Sequence, residues 1–224
     1  MLKFLYPDIN WRTIKTIGLD MDGTLYDEYD FIAQVYQPIA LKLAHGDKDN
    51  ACSIYNWMLN RWKQKGSSYN HIFEEALNLY NQKMTQTKKL QLISECVQVF
   101  RNFDPNIELS NIVKSILDTM AKNFNLFLVS DGSFKLQAKK FTALKLDHWI
   151  SLANAGFTGQ YGADFHKPSI KILNKIELFN QCNGKNDNMK SVVYFGDRKV
   201  DKIFAQNASF YFVPVKCMYV ININ

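Results

Sequence analysis

Apolar positions along the chain follow two rhythms. Short apolar runs occur at Thr13–Asp20 (TIKTIGLD), Asn125–Ser130 (NLFLVS), Ser191–Gly196 (SVVYFG) and Ser209–Val215 (SFYFVPV), with a weaker one at Trp149–Ala153. Runs of this length bounded by polar residues or glycine predict buried strands. Between them the spacing turns helical, over Asn111–Asn123, over Ser133–Leu144 with Ser133 as N-cap, and over Pro168–Asn180 with proline in the first turn. Strands alternating with helices predict an α/β class with a Rossmann-like parallel sheet. The first three runs each end on a polar residue or glycine, at the edge where such sheets form their ligand crevice.

From Tyr26 to Asp104 only the helical rhythm is present. Phe31, Val35, Ile39 and Leu43 mark one face, and Ile54, Trp57, Met58 and Trp62 a second. Phe73, Ala76, Leu77 and Tyr80 mark a third, and Leu90, Ile93, Val97 and Phe100 a fourth. The chain therefore divides into residues 1–25 with 105–224 as an α/β core and residues 26–104 as a helical insertion after the first strand, with Asp104-Pro105 marking the return. Nothing in the chain repeats itself.

Composition narrows the class. The 224 residues are 47% hydrophobic and 21% charged, which excludes disordered and fibrous chains. No run reaches the roughly 20 apolar residues of a membrane span, and Met1–Arg12 carries Asp8, Asn10 and Arg12 where a signal peptide needs an apolar stretch, so the sequence reads as soluble, unexported and cytoplasmic. The net charge of +6 raises the question of an anionic partner. The surplus is mostly lysine spread along the chain without a block of like charge, which is a solvated surface rather than a nucleic-acid footprint. Cys52, Cys96, Cys182 and Cys217 lie far apart with no CxxC pair, which argues against both a disulfide framework and a structural zinc. No feature points to a symmetric interface.

The chemistry is carried by strand ends. Asp20-Met21-Asp22-Gly23-Thr24 closes the first strand, putting two carboxylates two residues apart at the sheet edge before a glycine that permits a tight turn. A fixed D-x-D-G-T arises by chance on the order of 10⁻³ times in such a chain. Ser130-Asp131-Gly132 closes the second strand, Lys167-Pro168 opens a helix, and Gly196-Asp197 with Asp201 follows a third strand. Singly, each has a plain alternative: an acidic turn, a strand end, a solvated lysine, or helix-start acids favoured by the dipole.

In order and placement the four segments resemble the signature motifs of the haloacid dehalogenase-like (HAD) hydrolase superfamily. The resemblance covers nearly the whole chain, and the insertion falls where that family carries a helical cap. Leu19–Tyr26 (LDMDGTLY) and Leu126–Leu146 look especially close to its phosphatase branch. The resemblance implies Asp20 as nucleophile, forming an aspartyl-phosphate, and Asp22 as the acid that protonates the leaving alcohol and then the base that activates water. It implies Ser130, Lys167 and the backbone near Asp131 as phosphoryl ligands. Mg²⁺ would be held by Asp20, Asp197 and the carbonyl of Asp22, with Asp201 close behind.

The implied activity is hydrolysis of a small phosphate monoester such as a sugar phosphate or nucleoside monophosphate. A phosphomutase or a non-catalytic phosphometabolite binder would use the same pocket. The dehalogenase branch has no need of Asp22 or of magnesium, so these residues point to phosphoryl transfer. Specificity is expected in the cap, with Tyr26, Arg61 and, outside the cap, Arg198 as candidate substrate contacts; Tyr29, Lys65, Gly66 and Tyr69 lie near them in sequence. Arg198 stands where many relatives carry a small or amide residue, and Gly156–His166 has no firm match to the family pattern. Of the four histidines only His166, beside Lys167, is a candidate for substrate contact, and a structural role is the stronger expectation even there.

Overall fold

The computed structural model describes residues 6–80, 84–180 and 191–215. Two compact units form, Met1–Glu28 with Ile107–Asn224 and Tyr29–Asn106. The second is helical, comprising α1 (Glu28–Leu43, which starts at the unit boundary), α2 (Lys48–Lys65), α3 (Ile72–Tyr80) and α4 (Gln86–Asn102). α2 is capped at both ends. The Asp47 carboxylate accepts from the N–H groups of Asp49 and Asn50 at 3.0 and 3.1 Å, and Gly66 at φ 77° donates its N–H to Trp62.

The faces expected on α1, α2 and α3 supply this unit's core through Phe31, Val35, Ile39 and Leu43, through Ile54 and Met58, and through Ala76 and Leu77. On α4 the stripe is rotated from the expected one. Leu92 and Cys96 are buried while Leu90 is 58% exposed. A free cysteine packs as a small hydrophobe, and counting Cys96 as apolar moves the stripe to its observed face.

The first unit contains β1 (Thr16–Leu19), β2 (Asn125–Ser130), β3 (Ala155–Phe157), β4 (Val192–Gly196) and β5 (Tyr211–Pro214). Among the described residues these form one sheet in the order β3-β2-β1-β4-β5, with every pairing parallel. Its helices are α5 (Asn111–Asn123), α6 (Phe134–Ala143), the short α7 (Glu177–Asn180) and α8 (Lys199–Asn207). The chain builds outward from β1 through β2 to β3, then returns to place β4 on the other side of β1. That reversal leaves a crevice beyond the carboxyl ends of β1 and its neighbours.

β1 suits the centre because it is apolar on both faces, and Gly18 lets the rings of Phe127 and Tyr194 close over it. Phe127, Tyr194 and Phe204 belong to one buried cluster with Ile172, Leu173 and Ile176.

Two further sequence expectations are corrected. The third strand is Ala155–Phe157, not Trp149–Ala153, and Leu152–Asn154 is a 3₁₀ turn. The strand is short and contains Gly156, whose missing side chain admits Ile172 and Ile176, so hydrophobicity did not mark it. The segment expected as one helix from Pro168 is a 3₁₀ stretch over Ile170–Lys175 followed by α7. Buried Ile172, Leu173 and Ile176 fit a period of 3.0 as well as 3.6 over so short a span. Ser133 sits at the N-cap of α6 without a side-chain cap bond.

Cys52 and Cys96 are free, while Cys182 and Cys217 lie outside the described residues. No helix among the described residues is long and apolar enough to cross a membrane. A methyl group at position 18 would overlap both rings above the strand, so Gly18→Ala should destabilise the protein by about 1–3 kcal/mol, read from the urea unfolding midpoint.

Candidate active site

The carboxyl ends of β1, β2 and β4 deliver the side chains. Asp20 follows β1, its N–H continuing the ladder to Phe195 O at 2.9 Å. Ser130 ends β2, and Asp197 follows β4. Asp201 lies in the first turn of α8, where its carboxylate accepts from the Arg198 N–H at 3.0 Å. Capping the helix turns this acid inward, and it is fully buried.

Lys167 joins these elements. Its Nζ donates to Asp20 Oδ1 and to Asp201 Oδ1, each at 2.5 Å, and to the Val129 carbonyl at 3.4 Å. Asp131 holds the lysine's own backbone, since its Oδ1 accepts from the Lys167 N–H at 3.1 Å and from the Thr158 hydroxyl at 2.8 Å. The 156–166 segment thus contributes Thr158 as a brace, while His166 is exposed. Ser130 Oγ is buried and has no hydrogen-bond partner among the described residues, which leaves a hydroxyl ready for an incoming acceptor.

Asp20, Asp197 and Asp201 each offer a carboxylate oxygen, and these atoms lie within 4.8 Å of one another. Beside them are the Lys167 ammonium and the Arg198 guanidinium, whose Nε is 3.9 Å from both Asp197 Oδ1 and Asp201 Oδ2. Three carboxyl groups face two cations, so the cluster is net negative once all three are ionised. Burial pushes the Asp20 carboxyl up, and Asp201 adds to that against the pull of Lys167, so it titrates at about 7. Burial also raises Asp197 above its ordinary value. Burial alone would lower Lys167, but Asp20 and Asp201 hold it well above its ordinary range. Gly23, at φ 76°, lies so close to Asp197 that a Cβ there would fall 2.6 Å from its Oδ2.

Asp22 has a separate set of partners. Lys140 Nζ and the Tyr26 hydroxyl donate to its Oδ1 at 2.5 Å, and Gln137 Nε2 donates to its Oδ2 at 2.9 Å. Burial pushes this carboxyl up as well, but the three donors, Lys140 foremost, outweigh it and hold it below its ordinary value. Lys140 and Gln137 escaped the sequence reading. Their signal is a lysine and a glutamine three residues apart, on the same face of α6 as the core residues Leu136 and Phe141.

The expected substrate contacts are placed differently. Tyr26 is buried with its hydroxyl on Asp22, because the turn after β1 brings residues 22 and 26 into a β-bridge. Arg61 lies in the helical unit and forms a two-pronged pair with Glu75 at 2.6 and 2.7 Å, joined by the Tyr69 hydroxyl on Glu75. Arg198 lies at the acidic cluster.

A model of the haloacid dehalogenase-like hydrolases matches residues 17–215. No curated protein matches the chain. Among solved structures, a subfamily IA hydrolase of that superfamily from Geobacter sulfurreducens superposes with TM-score 0.65 at 17% identity, covering 92% of this chain and 88% of the other. A Clostridium difficile protein assigned as a phosphatase superposes with TM-score 0.61 at 18% identity, covering 92% and 86%. A Bacillus subtilis protein assigned as a hydrolase of the same superfamily, bound to magnesium, superposes with TM-score 0.57 at 15% identity, covering 89% and 87%.

The opposite shifts of the two aspartates give opposite stability profiles. Asp20, raised, contributes stability that is complete below its ordinary 3.8 and lost as pH rises through about 7. Asp22, lowered, contributes stability that is present above 3.8 and lost as pH falls through its folded value. At pH 8, Asp20→Asn should therefore unfold at or above the wild-type temperature. Asp22→Asn, which removes the carboxylate that the buried Lys140 ammonium pairs with, should lose about 3 kcal/mol. Calorimetry and chemical denaturation of both variants at pH 8 check this pair.

Proposed function

The chain belongs to the haloacid dehalogenase-like hydrolase family, and from that membership we propose that it is a magnesium-dependent phosphatase acting on a small phosphate monoester. The observation that carries this reading is the meeting of Asp20, Ser130, Lys167, Asp197 and Asp201 at one sheet edge, with a Ser130 hydroxyl that has no partner among the described residues and with more carboxyl groups than cations. A dehalogenating aspartate needs no such acidic cluster, whereas phosphoryl transfer spreads negative charge over oxygens that must be met by donors and cations.

In this reading a carboxylate oxygen of Asp20 attacks phosphorus as the bond to the ester oxygen breaks, giving an aspartyl-phosphate and a leaving alkoxide. Asp22, in its protonated form, gives the alkoxide its proton. Water then attacks the same phosphorus and loses a proton to Asp22, the P–O bond to Asp20 breaks, and inorganic phosphate leaves with Asp20 regenerated. The donors around Asp22 favour its carboxylate, the form needed in the second half. The dianionic phosphate arriving beside it favours the protonated form needed in the first. Ser130 and Lys167 hold the phosphoryl oxygens throughout.

The residues present fit a hard divalent cation, because the donors are oxygens, the cluster carries excess negative charge, and Gly23 leaves the Asp197 carboxylate uncrowded. Asp20, Asp197 and the carbonyl of Asp22 would hold Mg²⁺, with Asp201 behind them, and the ion would supply positive charge to the phosphoryl oxygens. The magnesium bound by the Bacillus subtilis relative supports the same choice. The partner in this reading is a small phosphorylated metabolite rather than a nucleic acid, since the surplus lysines are dispersed. Free Cys52 and Cys96 fit a reducing cytosol.

With Mg²⁺ and p-nitrophenyl phosphate, Asp20→Asn should lower kcat by at least about 10³-fold while the far-UV circular dichroism stays that of the wild type. EDTA should silence the enzyme, and added Mg²⁺ should restore it. Near-wild-type turnover by Asp20→Asn overturns the nucleophile, and turnover after complete metal removal overturns the magnesium requirement. A screen of phosphorylated metabolites by kcat/KM then identifies the substrate class.

A further inference from the structure

Asp22 is gripped from two directions, and the grip includes a residue type seldom found inside proteins. Lys140 is only 2% exposed, in the last turn of an amphipathic helix whose other inward residues are apolar or amide. A lysine is retained in such a place only when its ammonium is paired, and Lys140 Nζ pairs with Asp22 Oδ1. Gln137, one turn earlier on α6, takes Asp22 Oδ2 and also donates to the Asp131 carbonyl at 2.6 Å, which ties the grip to the turn after β2. Tyr26 closes it from the turn after β1.

Asp22 itself lies beyond the end of β1 and is followed by Gly23 in a left-handed conformation, so the sheet does not fix its side-chain direction. Proton transfer at a phosphoryl centre requires that direction to be fixed, because a carboxylate displaced by about 1 Å loses much of its catalytic effect. We propose that Lys140, assisted by Gln137 and Tyr26, is a positioning residue that aims the Asp22 carboxylate at the leaving group and at the attacking water. This rests on the phosphatase reading above.

The alternative is that Lys140 serves the fold alone. In that case a methionine of similar length would be neutral or stabilising and would leave turnover unchanged. The two roles separate on esters that differ in their need for an acid. p-Nitrophenolate leaves without a proton, whereas the alkoxide of glycerol 2-phosphate requires one.

The experiment uses the full chain with Mg²⁺. Lys140→Met should lower kcat by about 100-fold on glycerol 2-phosphate and by less on p-nitrophenyl phosphate, with KM nearly unchanged. Lys140→Arg should recover part of the loss. Combining Lys140→Met with Asp22→Asn should cost no more than Asp22→Asn alone, because both act through one carboxylate. Tyr26→Phe removes only a hydroxyl and should show the same ester preference at about a tenfold loss, which keeps the test available if Lys140→Met does not fold. Equal kcat for wild type and variants on both esters, or losses that multiply in the double variant, overturns the positioning role. If the wild type turns over neither ester, or Asp20→Asn retains activity, the phosphatase reading fails and this inference falls with it.

Discussion

A single ammonium group organises the catalytic unit. Lys167 Nζ lies between Asp20, at the end of the central strand, and Asp201, at the start of α8, with its charge enclosed by protein. An unpaired charge in that position would be prohibitive, so strand end, helix start and the 158–167 loop must all arrive together for any of them to be stable. Asp131 enforces the same condition on the backbone by taking the Lys167 N–H and the Thr158 hydroxyl on one oxygen.

The ammonium does not complete the charge balance. Asp20 and Asp201 share it, Asp197 stands alongside, and the Arg198 guanidinium Nε lies 3.9 Å from the Asp197 and Asp201 carboxylates. Burial raises the Asp20 carboxyl, and the competition of Asp201 for the same counter-ion adds to the rise. Asp22 escapes that competition because it has its own lysine. The two aspartates of one short motif therefore reside in different electrostatic settings, one frustrated and one satisfied, which is how neighbouring carboxylates come to take different chemical roles.

Much of this was legible along the chain. Strand ends at Asp20, Ser130 and Gly196 followed from apolar runs that stop abruptly, and α5 occupies Asn111–Asn123 as its spacing required. Less was legible where the signal is weak by nature. β3 is three residues long with a central glycine, and the 170–175 segment is too short for its period to be read. The stripe on α4 was displaced because Cys96 packs as a hydrophobe. Tyr26 and Arg61 are substrate candidates by their place in the sequence, near the start of the insertion and near a helix-to-helix turn, and the partners the fold gives them, Asp22 and Glu75, are not visible there.

The alternation of strands and helices and the presence of acids at strand ends are set by the sequence alone. These are local properties, carried by side-chain period and by which residues tolerate a turn. Only the tertiary structure decided which charge meets which. Lys167 and Asp20 are 147 positions apart, and Lys140 and Asp22 are 118. The strength of an ion pair depends on distance in space and on the exclusion of water, and neither is written in the spacing of residues along a chain.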